Sequence, residues 1–281
     1  TQSPYFGATA GRCANRIRDG HVEIDGKVYQ LDRNFIGKHS LHGGSLSMGK
    51  RCWELKDATA NAAVFAITLA DGEMGYPGTL QAEAQFSLLE GGVLDIVYTA
   101  TTDAPTLCNL AHHSYFNLGG GPTVLDHELQ VDAEHHLPVD EELIPTGKMR
   151  PVAGTAFDFR EPAPVSQASS QGVLDHNYCT GSSRQALRQV AVLRSRASGV
   201  SLSCRTTEPG LQVYDGAKIA IEYPGLCGRK MGPHAGIALE PQVWPDAPHN
   251  PDFPSALLLP GETYHQHSQY IFERVHPGNA G

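Results

Sequence analysis

The chain has 281 residues, 40% of them hydrophobic and 18% charged, so it can bury a sizeable core and is not a disordered chain. Its formal net charge of −9 argues against binding to nucleic acid or to an anionic membrane surface. No apolar run approaches the ~20 residues that a membrane-spanning helix needs, and the opening residues lack the features of a signal peptide.

Alternation of apolar and polar residues is the dominant pattern in the first half of the chain. Val64–Leu69 is the first candidate strand. Thr79–Leu88 alternates strictly and predicts a half-buried strand. Leu94–Ala100 resumes the alternation after a Gly-Gly turn at residues 91 and 92, so the two segments predict a β-hairpin.

The second half continues the same pattern. Val190–Arg196 and Val200–Thr206 predict a second hairpin, and Glu161–Gly172, which is polar and contains prolines, predicts a long loop. Gln185–Arg194 is ambiguous between helix and strand. Three further candidate strands are Leu129–Val131, Leu211–Tyr214 and Tyr264–Phe272. With 30 Gly and 19 Pro spread throughout, the chain predicts an antiparallel β-sandwich or barrel formed by a single domain over residues 1–281.

The six cysteines are scattered through the chain and form no Cys-x-x-Cys pair. A chain of this size does not need disulfides for stability, so we expect free thiols and a cytoplasmic location, although disulfides remain open.

The 14 histidines raise the question of a metal site. Neighbouring side chains on a strand point to opposite faces, so the pairs at 112–113 and 135–136 each offer one imidazole to any one site. His265 and His267 share a face but have no third ligand nearby in sequence, and two polar residues on the wet face of a strand are the better explanation. We therefore predict no metal. Motifs for nucleotide binding and for a serine nucleophile are also missing, which predicts a protein without a cofactor.

Polar residues next to Gly, Pro or aromatic residues form four clusters. A carboxylate, histidines, an arginine and aromatic rings in such clusters suit a sugar, since aromatic faces cover the apolar side of a pyranose and charged groups bind its hydroxyls. Taken singly, His113 could be a core histidine, Glu240 a rim charge and Arg16 part of a surface ion pair. The clusters are Gly11–Ile17, Leu41–Gly44, Asn109–Leu118 and Leu239–Ser255.

Together these clusters resemble the aldose 1-epimerase (galactose mutarotase) family. The resemblance runs in order along nearly the whole chain. Its most specific segments are Gly-Arg-Cys-Ala-Asn-Arg-Ile at 11–17, His-Ser-Tyr-Phe-Asn-Leu at 113–118 and Leu-Glu-Pro-Gln-Val-Trp at 239–244. Other matching segments are Arg51–Leu55, Asp71–Thr79, Leu137–Thr146, Ala153–Arg160, Asp175–Asn177 and Glu208–Tyr214.

The resemblance implies an all-β fold, a large twisted antiparallel β-sandwich of the galactose mutarotase type. It also implies that the opening strands found in the family are missing ahead of Gly11. The resemblance makes His113 the general acid and Glu240 the general base, and it places His42 near the ring oxygen. His112 is then expected to face away from the site. The substrate-binding residues that the resemblance implies are Asn15, Arg16, Tyr115, Asp175 and Gln242.

The expected reaction is acid–base opening and reclosure of a free aldohexose ring of the glucose or galactose type. Ordinary pKa values of about 4.3 for Glu and 6.5 for His let a carboxylate and an imidazolium coexist between them, and a carboxylate close to the histidine should extend that window upward. Two alternatives remain. One is a non-catalytic carbohydrate-binding or sugar-sensing protein. The other is a hexose-phosphate 1-epimerase, which should show an arginine cluster, whereas Arg12, Arg16 and Arg18 are the only arginines close together near the site. A monosaccharide is the expected partner of a monomer or homodimer.

Overall fold

The computed structural model describes residues 5–225 and 228–274. Its strands are β1 Ala8–Ala10, β2 Arg16–Ile17, β3 His21–Ile24, β4 Lys27–Gln30, β5 Ser40–Leu41, β6 Glu54–Ala58, β7 Ala62–Leu69, β8 Leu80–Leu89, β9 Val93–Thr102, β10 Thr106–Leu107, β11 Ala111–His113, β12 Tyr115–Phe116, β13 Glu128–Val131, β14 His135–Leu137, β15 Arg150–Pro151, β16 Ala163–Pro164, β17 Asp175–Cys179, β18 Arg188–Ser195, β19 Val200–Thr206, β20 Gly210–Tyr214, β21 Ile237–Gln242, β22 Leu257–Leu258 and β23 Tyr264–Arg274. Its helical elements include one α-helix, α1 Ser166–Ser169, and short 3-10 turns at Arg18–Gly20, Met48–Lys50, Glu73–Gly75 and Ala247–His249.

Two antiparallel sheets dominate the described part of the chain. The larger has nine strands in the order β16-β13-β18-β19-β23-β9-β8-β7-β6, and the smaller has six in the order β12-β21-β20-β17-β14-β15. Residues from both sheets share one hydrophobic cluster; Ile96 and Tyr98 come from the larger sheet, Leu211 and Leu239 from the smaller. The core therefore lies between the sheets, and the predicted antiparallel β-sandwich is confirmed.

The predicted hairpins are confirmed at nearly their predicted bounds. In β8 the buried and exposed positions alternate from Leu80 to Gln85, as the sequence pattern predicts, but Ser87 is buried and Leu88 is exposed, so the predicted alternation is wrong at the end of the strand. Gly91 and Gly92 both have a positive φ, a conformation that glycine adopts without steric cost, and they return the chain into β9. The hairpin of β18 and β19 is turned in the same way at Gly199.

Two segments differ from the prediction. Glu161–Gly172 is not a continuous loop, because it contains β16 and the single helical turn α1. Its prolines hid the strand, since β16 is a two-residue edge strand and edge strands tolerate proline. The ambiguous segment Gln185–Arg194 is strand from Arg188 onward.

Short strand pairs connect the polar clusters to the sandwich. β1 pairs with β11, β2 pairs with β5, and β12 pairs with the first two residues of β21. These pairings bring segments that are far apart in sequence to one end of the smaller sheet.

The five cysteines in the described ranges are free thiols, as expected, and Cys227 lies outside those ranges. No helix in the described ranges is long and apolar enough to cross a membrane.

Candidate active site

An imidazole and a carboxylate face each other at the end of the smaller sheet. His113 is the last residue of β11, and Glu240 lies in the middle of β21. The His113 Nε2 and Glu240 Oε2 atoms are 3.5 Å apart, and both side chains are almost fully buried. Neither His113 Nδ1 nor Glu240 Oε2 has a hydrogen-bond partner, so this buried pair has polar capacity left for a ligand.

The pair opens into a pocket of about 280 Å³, close to the lower limit for small-molecule sites. Its lining combines aromatic rings with charged and amide groups, the combination that the sequence predicted for a sugar site. The lining residues are Tyr5, Phe6, Asn15, Arg16, Phe35, Leu41, His42, His113, Tyr115, Asp175, Gln212, Tyr214, Lys218, Ile219, Ala220, Ile221 and Glu240.

A polar network forms one wall of the pocket. Arg16 Nη2 lies 3.1 Å from Asp175 Oδ2, and Gln212 Nε2 donates to Asp175 Oδ1 at 2.6 Å. Asn15 Oδ1 accepts from the Arg16 backbone N–H at 2.9 Å. The Arg16 guanidinium also lies over the Phe35 ring, with its central carbon 4.7 Å from the ring centroid. These bonds fix the side chains before any ligand binds.

His42 is held in one orientation by the backbone of the neighbouring strand. The Asn15 backbone N–H donates to His42 Nδ1 at 3.2 Å, so Nδ1 carries no proton. Burial and the nearby His113, Arg16 and Lys50 lower the His42 pKa well below its usual value, which keeps the ring neutral. A neutral ring with a bare Nδ1 has its proton on Nε2, so His42 is a fixed hydrogen-bond donor.

Burial acts in opposite directions on the two groups of the acid–base pair. It lowers the pKa of His113 to about 4, with smaller opposing effects from the backbone and Asp175. It raises the pKa of Glu240 well above the ordinary value, an effect that Asp175 reinforces and Arg16 opposes. The expectation that a neighbouring carboxylate would raise the histidine pKa is therefore wrong for the ligand-free pocket, since desolvation outweighs the attraction.

The pocket brings together most of the residues predicted for the site. His42, His113, Glu240, Asn15, Arg16, Tyr115 and Asp175 all line it. Gln242, which was also predicted to bind substrate, is fully buried on β21 outside the lining, and its amide has no hydrogen-bond partner. His112 packs in the core against Phe86 and Tyr270, so the prediction that it faces away from the site is confirmed.

Ten of the 17 lining residues were not among the predicted site residues, and Tyr5, Phe35, Gln212 and Tyr214 are four of them. Tyr5 lies against His113, with ring centroids 5.7 Å apart, and Phe35 and Tyr214 complete the aromatic wall. Gln212 stands opposite Glu240 in the register of β20 and β21. A signal for Gln212 was present, because a polar residue interrupts the apolar strand at 211–214, but its partner is known only from the pairing of the strands.

The three arginines considered for phosphate binding have other roles. Arg12 is buried and donates to backbone carbonyls, including that of Gly78 at 2.7 Å. Arg18 binds the Pro145 carbonyl and lies 3.4 Å from Asp246. Arg16 is engaged with Asp175. The described pocket lining therefore contains no arginine cluster.

The metal question also has a structural answer. His267 Nε2 lies 2.6 Å from Asp95, whereas His265 is exposed. Within residues 5–225 and 228–274, metal-ligating side chains come together in the pocket, where donor atoms of His42, His113 and Glu240 lie within 4.8 Å of one another. Ligation through His42 Nε2 requires a proton on Nδ1, which would face the Asn15 N–H, so the surroundings of His42 oppose a metal ion.

A β-sandwich with a small pocket that pairs an imidazole with a carboxylate defines the class of this protein. The sequence model of one family, described as aldose 1-epimerase, matches residues 1–271. The chain belongs to the aldose 1-epimerase family.

Individual relatives agree with this assignment. Galactose mutarotase from Sus scrofa is 41% identical over 274 residues, which cover 96% of this chain and 79% of the relative. Aldose 1-epimerase from Escherichia coli is 34% identical over 285 residues, or 96% of this chain and 81% of the relative. The resemblance inferred from the motifs is thus confirmed.

Solved structures share the fold. An aldose epimerase homologue from C. elegans superposes with a TM-score of 0.91 at 30% identity, covering 97% of this chain and 84% of that chain. Galactose 1-epimerase from Lactobacillus acidophilus gives a TM-score of 0.82 at 29% identity, covering 97% and 81%.

Proposed function

We propose that this chain is an aldose 1-epimerase that interconverts the α and β anomers of a free aldohexose of the glucose or galactose type. The observation that supports this most directly is the buried His113–Glu240 pair, whose Nε2 and Oε2 atoms are 3.5 Å apart at the end of a sugar-sized pocket. An acid and a base at this separation can reach the ring oxygen and the anomeric hydroxyl of one pyranose.

Glu240 accepts the proton of the anomeric hydroxyl while His113 donates a proton to the ring oxygen. The C1–O5 bond breaks, its electron pair goes to O5, and C1 becomes an aldehyde. Rotation about C1–C2 presents the other face, and the ring closes with both proton transfers reversed. Each positioned group supplies about 10²–10⁴ in rate.

The pair needs one proton shared between its two members. Neutral His113 with a protonated Glu240, and imidazolium with a carboxylate, are two forms of this same state. Burial favours the uncharged form in the ligand-free pocket, as the pKa directions of the two groups indicate. Sugar hydroxyls that bind in the pocket bring new dipoles next to both groups, which makes the reactive charged form accessible.

The remaining polar residues orient the sugar. His42 donates through Nε2 toward the ring oxygen, and Arg16 with Asp175 binds ring hydroxyls. Asn15 and Tyr115 complete this set from the pocket wall. Gln242, two residues after Glu240 on β21, is not in the pocket lining and has no direct role in binding the sugar in this proposal.

Polarimetry on freshly dissolved α-glucose and α-galactose tests the proposal. We expect Glu240→Gln and His113→Asn each to lower kcat by about 10²-fold or more, because each removes one proton-transfer group. Glu83→Gln and His265→Asn make the same changes at exposed sites on β8 and β23 and should keep full activity. Equal rates in all five proteins would remove the assignments.

The alternatives have weaker support. A carbohydrate-binding or sugar-sensing protein does not need an acid opposite a base, and sugar binding without accelerated mutarotation would decide for it. A hexose-phosphate epimerase needs cations for the phosphate, whereas Arg16 is engaged with Asp175 and Lys218 is the other cation in the described lining. We further propose a cytoplasmic monomer or homodimer with a monosaccharide as its partner, in keeping with the five free cysteines.

A further inference from the structure

The strand that bears Glu240 lacks a strand neighbour along part of one edge. β20 pairs with β21 from Ala238 to Gln242 on one side. On the other side β12 covers only Ile237 and Ala238. The backbone carbonyls of Leu239 and Pro241, which flank Glu240, therefore need partners other than a sheet neighbour, because every residue of β21 is buried.

Two side chains from the opposite sheet supply those partners. The Tyr270 hydroxyl donates to the Leu239 carbonyl at 2.7 Å, and Gln266 Nε2 donates to the Pro241 carbonyl at 3.0 Å. Both belong to β23, at positions that share its buried inner face. Glu240 thus sits between two backbone anchor points, each held by a buried donor from the other sheet.

The same strand also reaches the segment that bears His113. The Tyr264 hydroxyl donates to Gln266 Oε1 at 2.6 Å and accepts from the Leu110 backbone N–H at 3.0 Å. Leu110 lies three residues before His113 and Pro241 directly follows Glu240. A continuous chain of hydrogen bonds through Tyr264 and Gln266 therefore joins the two catalytic strands.

We propose that Tyr264, Gln266 and Tyr270 are positioning residues that fix the separation of His113 and Glu240 from the opposite sheet. They touch neither the pocket nor the substrate, and they act through the backbone of β21 and of the segment before β11. This inference rests on the proposed function, since it concerns the geometry of the same acid–base pair. Movement of either strand would lower the catalytic rate, because proton transfer depends on sub-ångström positioning of the two groups.

Loss of this support should also alter the titration of the pair. Burial now disfavours both the doubly protonated and the doubly deprotonated pair, each of which carries a net charge in a dry pocket. Water admitted beside a loosened β21 would make both charged states easier to reach. The pH range with one shared proton should then narrow from both ends. The other titratable groups facing the pair are Tyr5, Arg16, His42, Tyr115 and Asp175 from the pocket lining, and Tyr270 of β23 interacts electrostatically with Glu240.

Gln266→Met and Tyr270→Phe test the proposal, with Ser268→Ala as the matched control. Ser268 lies between the two on the same face of β23, but its hydroxyl binds Thr206 rather than β21. We expect kcat to fall about tenfold in the first two variants with KM within about twofold, because the sugar-binding residues are untouched. The pH profile of kcat/KM, which reports the ligand-free pair, should narrow on both limbs. Ser268→Ala should keep the wild-type kcat and profile.

Titration of His113 by NMR gives a second readout that does not need catalysis. Its pKa should rise toward the ordinary value in Gln266→Met and Tyr270→Phe and stay unchanged in Ser268→Ala. If the first two variants match the control in both kcat and titration, the positioning role is wrong. If the wild-type protein does not accelerate mutarotation, the proposed function is wrong. The positioning role would still stand if the His113 pKa rises in Gln266→Met and Tyr270→Phe but not in Ser268→Ala.

Discussion

One proton shared by two buried residues is the central chemical feature of the pocket. His113 and Glu240 have pKa values displaced toward each other's range, His113 downward and Glu240 upward. Burial causes this displacement and stabilises a neutral pair, which carries the one proton that the proposed mechanism needs. His42 does not compete for this proton, because the Asn15 N–H and burial keep its ring neutral.

This arrangement predicts a broad bell-shaped pH profile for kcat/KM. The acid limb reports a second proton entering the pair, and the lowered His113 pKa places it below 6.5, toward about 4. The alkaline limb reports loss of the shared proton, and the raised Glu240 pKa moves it well above the ordinary glutamate value. Polarimetry across the pH range, corrected for uncatalysed mutarotation, measures both limbs. An acid limb at or above pH 6.5 would contradict the burial argument.

For single residues, the sequence predicted which side chains belong to the site better than it predicted their pKa shifts and neighbours. The alternation of strand side chains correctly separated His113 from His112, because it depends only on local geometry. The pKa directions could not be predicted, since desolvation depends on which distant segments cover the pair. Gln212 was missed for the same reason, because its place beside Glu240, 28 residues further along the chain, follows from the register of β20 and β21.

The short strands β2 and β5 position half of the polar wall. Their pairing of Arg16 with Leu41 brings Asn15 beside His42. The turn after His42 requires a close approach of two backbones. Gly43 has a φ of +84°, and a Cβ built there would overlap the carbonyl oxygen of Gly11.

Gly43→Ala should therefore lower both stability and activity. The strained φ alone costs about 1–2 kcal/mol, and the backbone overlap adds to it because a carbonyl cannot move aside as a side chain can. His42, the preceding residue, should shift and kcat/KM should fall about tenfold or more. Thermal unfolding and polarimetry measure the two effects.

Gly91→Ala provides the control for this change. Gly91 has a similar φ of +78°, but a Cβ there meets no atom within 4 Å. We expect a smaller loss of stability and full activity. If both variants lose the same stability and Gly43→Ala keeps its activity, the contact with Gly11 does not govern the position of His42.

Long strands could be predicted from the sequence and short ones could not. β8, β9, β18 and β19 show their period-two pattern over enough residues to stand alone. β2 and β5 have two residues each, too few to show a period, and they form because each provides backbone hydrogen bonds for the other. The helical turn α1 was also missed because its four residues are too few to show a helical period.

Several histidines are buried in the described part of the sandwich. Burial lowers the pKa values of His112, His113 and His136 to about 4 each. Both ring nitrogens of His112 and of His136 lack hydrogen-bond partners. In the unfolded chain these rings take up protons near pH 6.5, so the unfolded state binds more protons below that pH.

The molecule should therefore lose stability in acid, and His112 allows the cause to be tested. Its folded pKa is lowered, so its contribution is complete above pH 6.5 and is lost as the pH falls from 6.5 toward about 4. His112→Phe, which keeps a ring against Phe86 and Tyr270, should reduce the dependence of the unfolding free energy on pH by up to about 1.4 kcal/mol per pH unit in that window. Urea unfolding at pH 7.5, 6, 5 and 4.5 measures this slope. His265→Gln, a substitution at an exposed position of β23, is the comparison variant. Parallel slopes for wild type and His112→Phe would mean that buried histidines in the core do not govern the acid sensitivity of the sandwich.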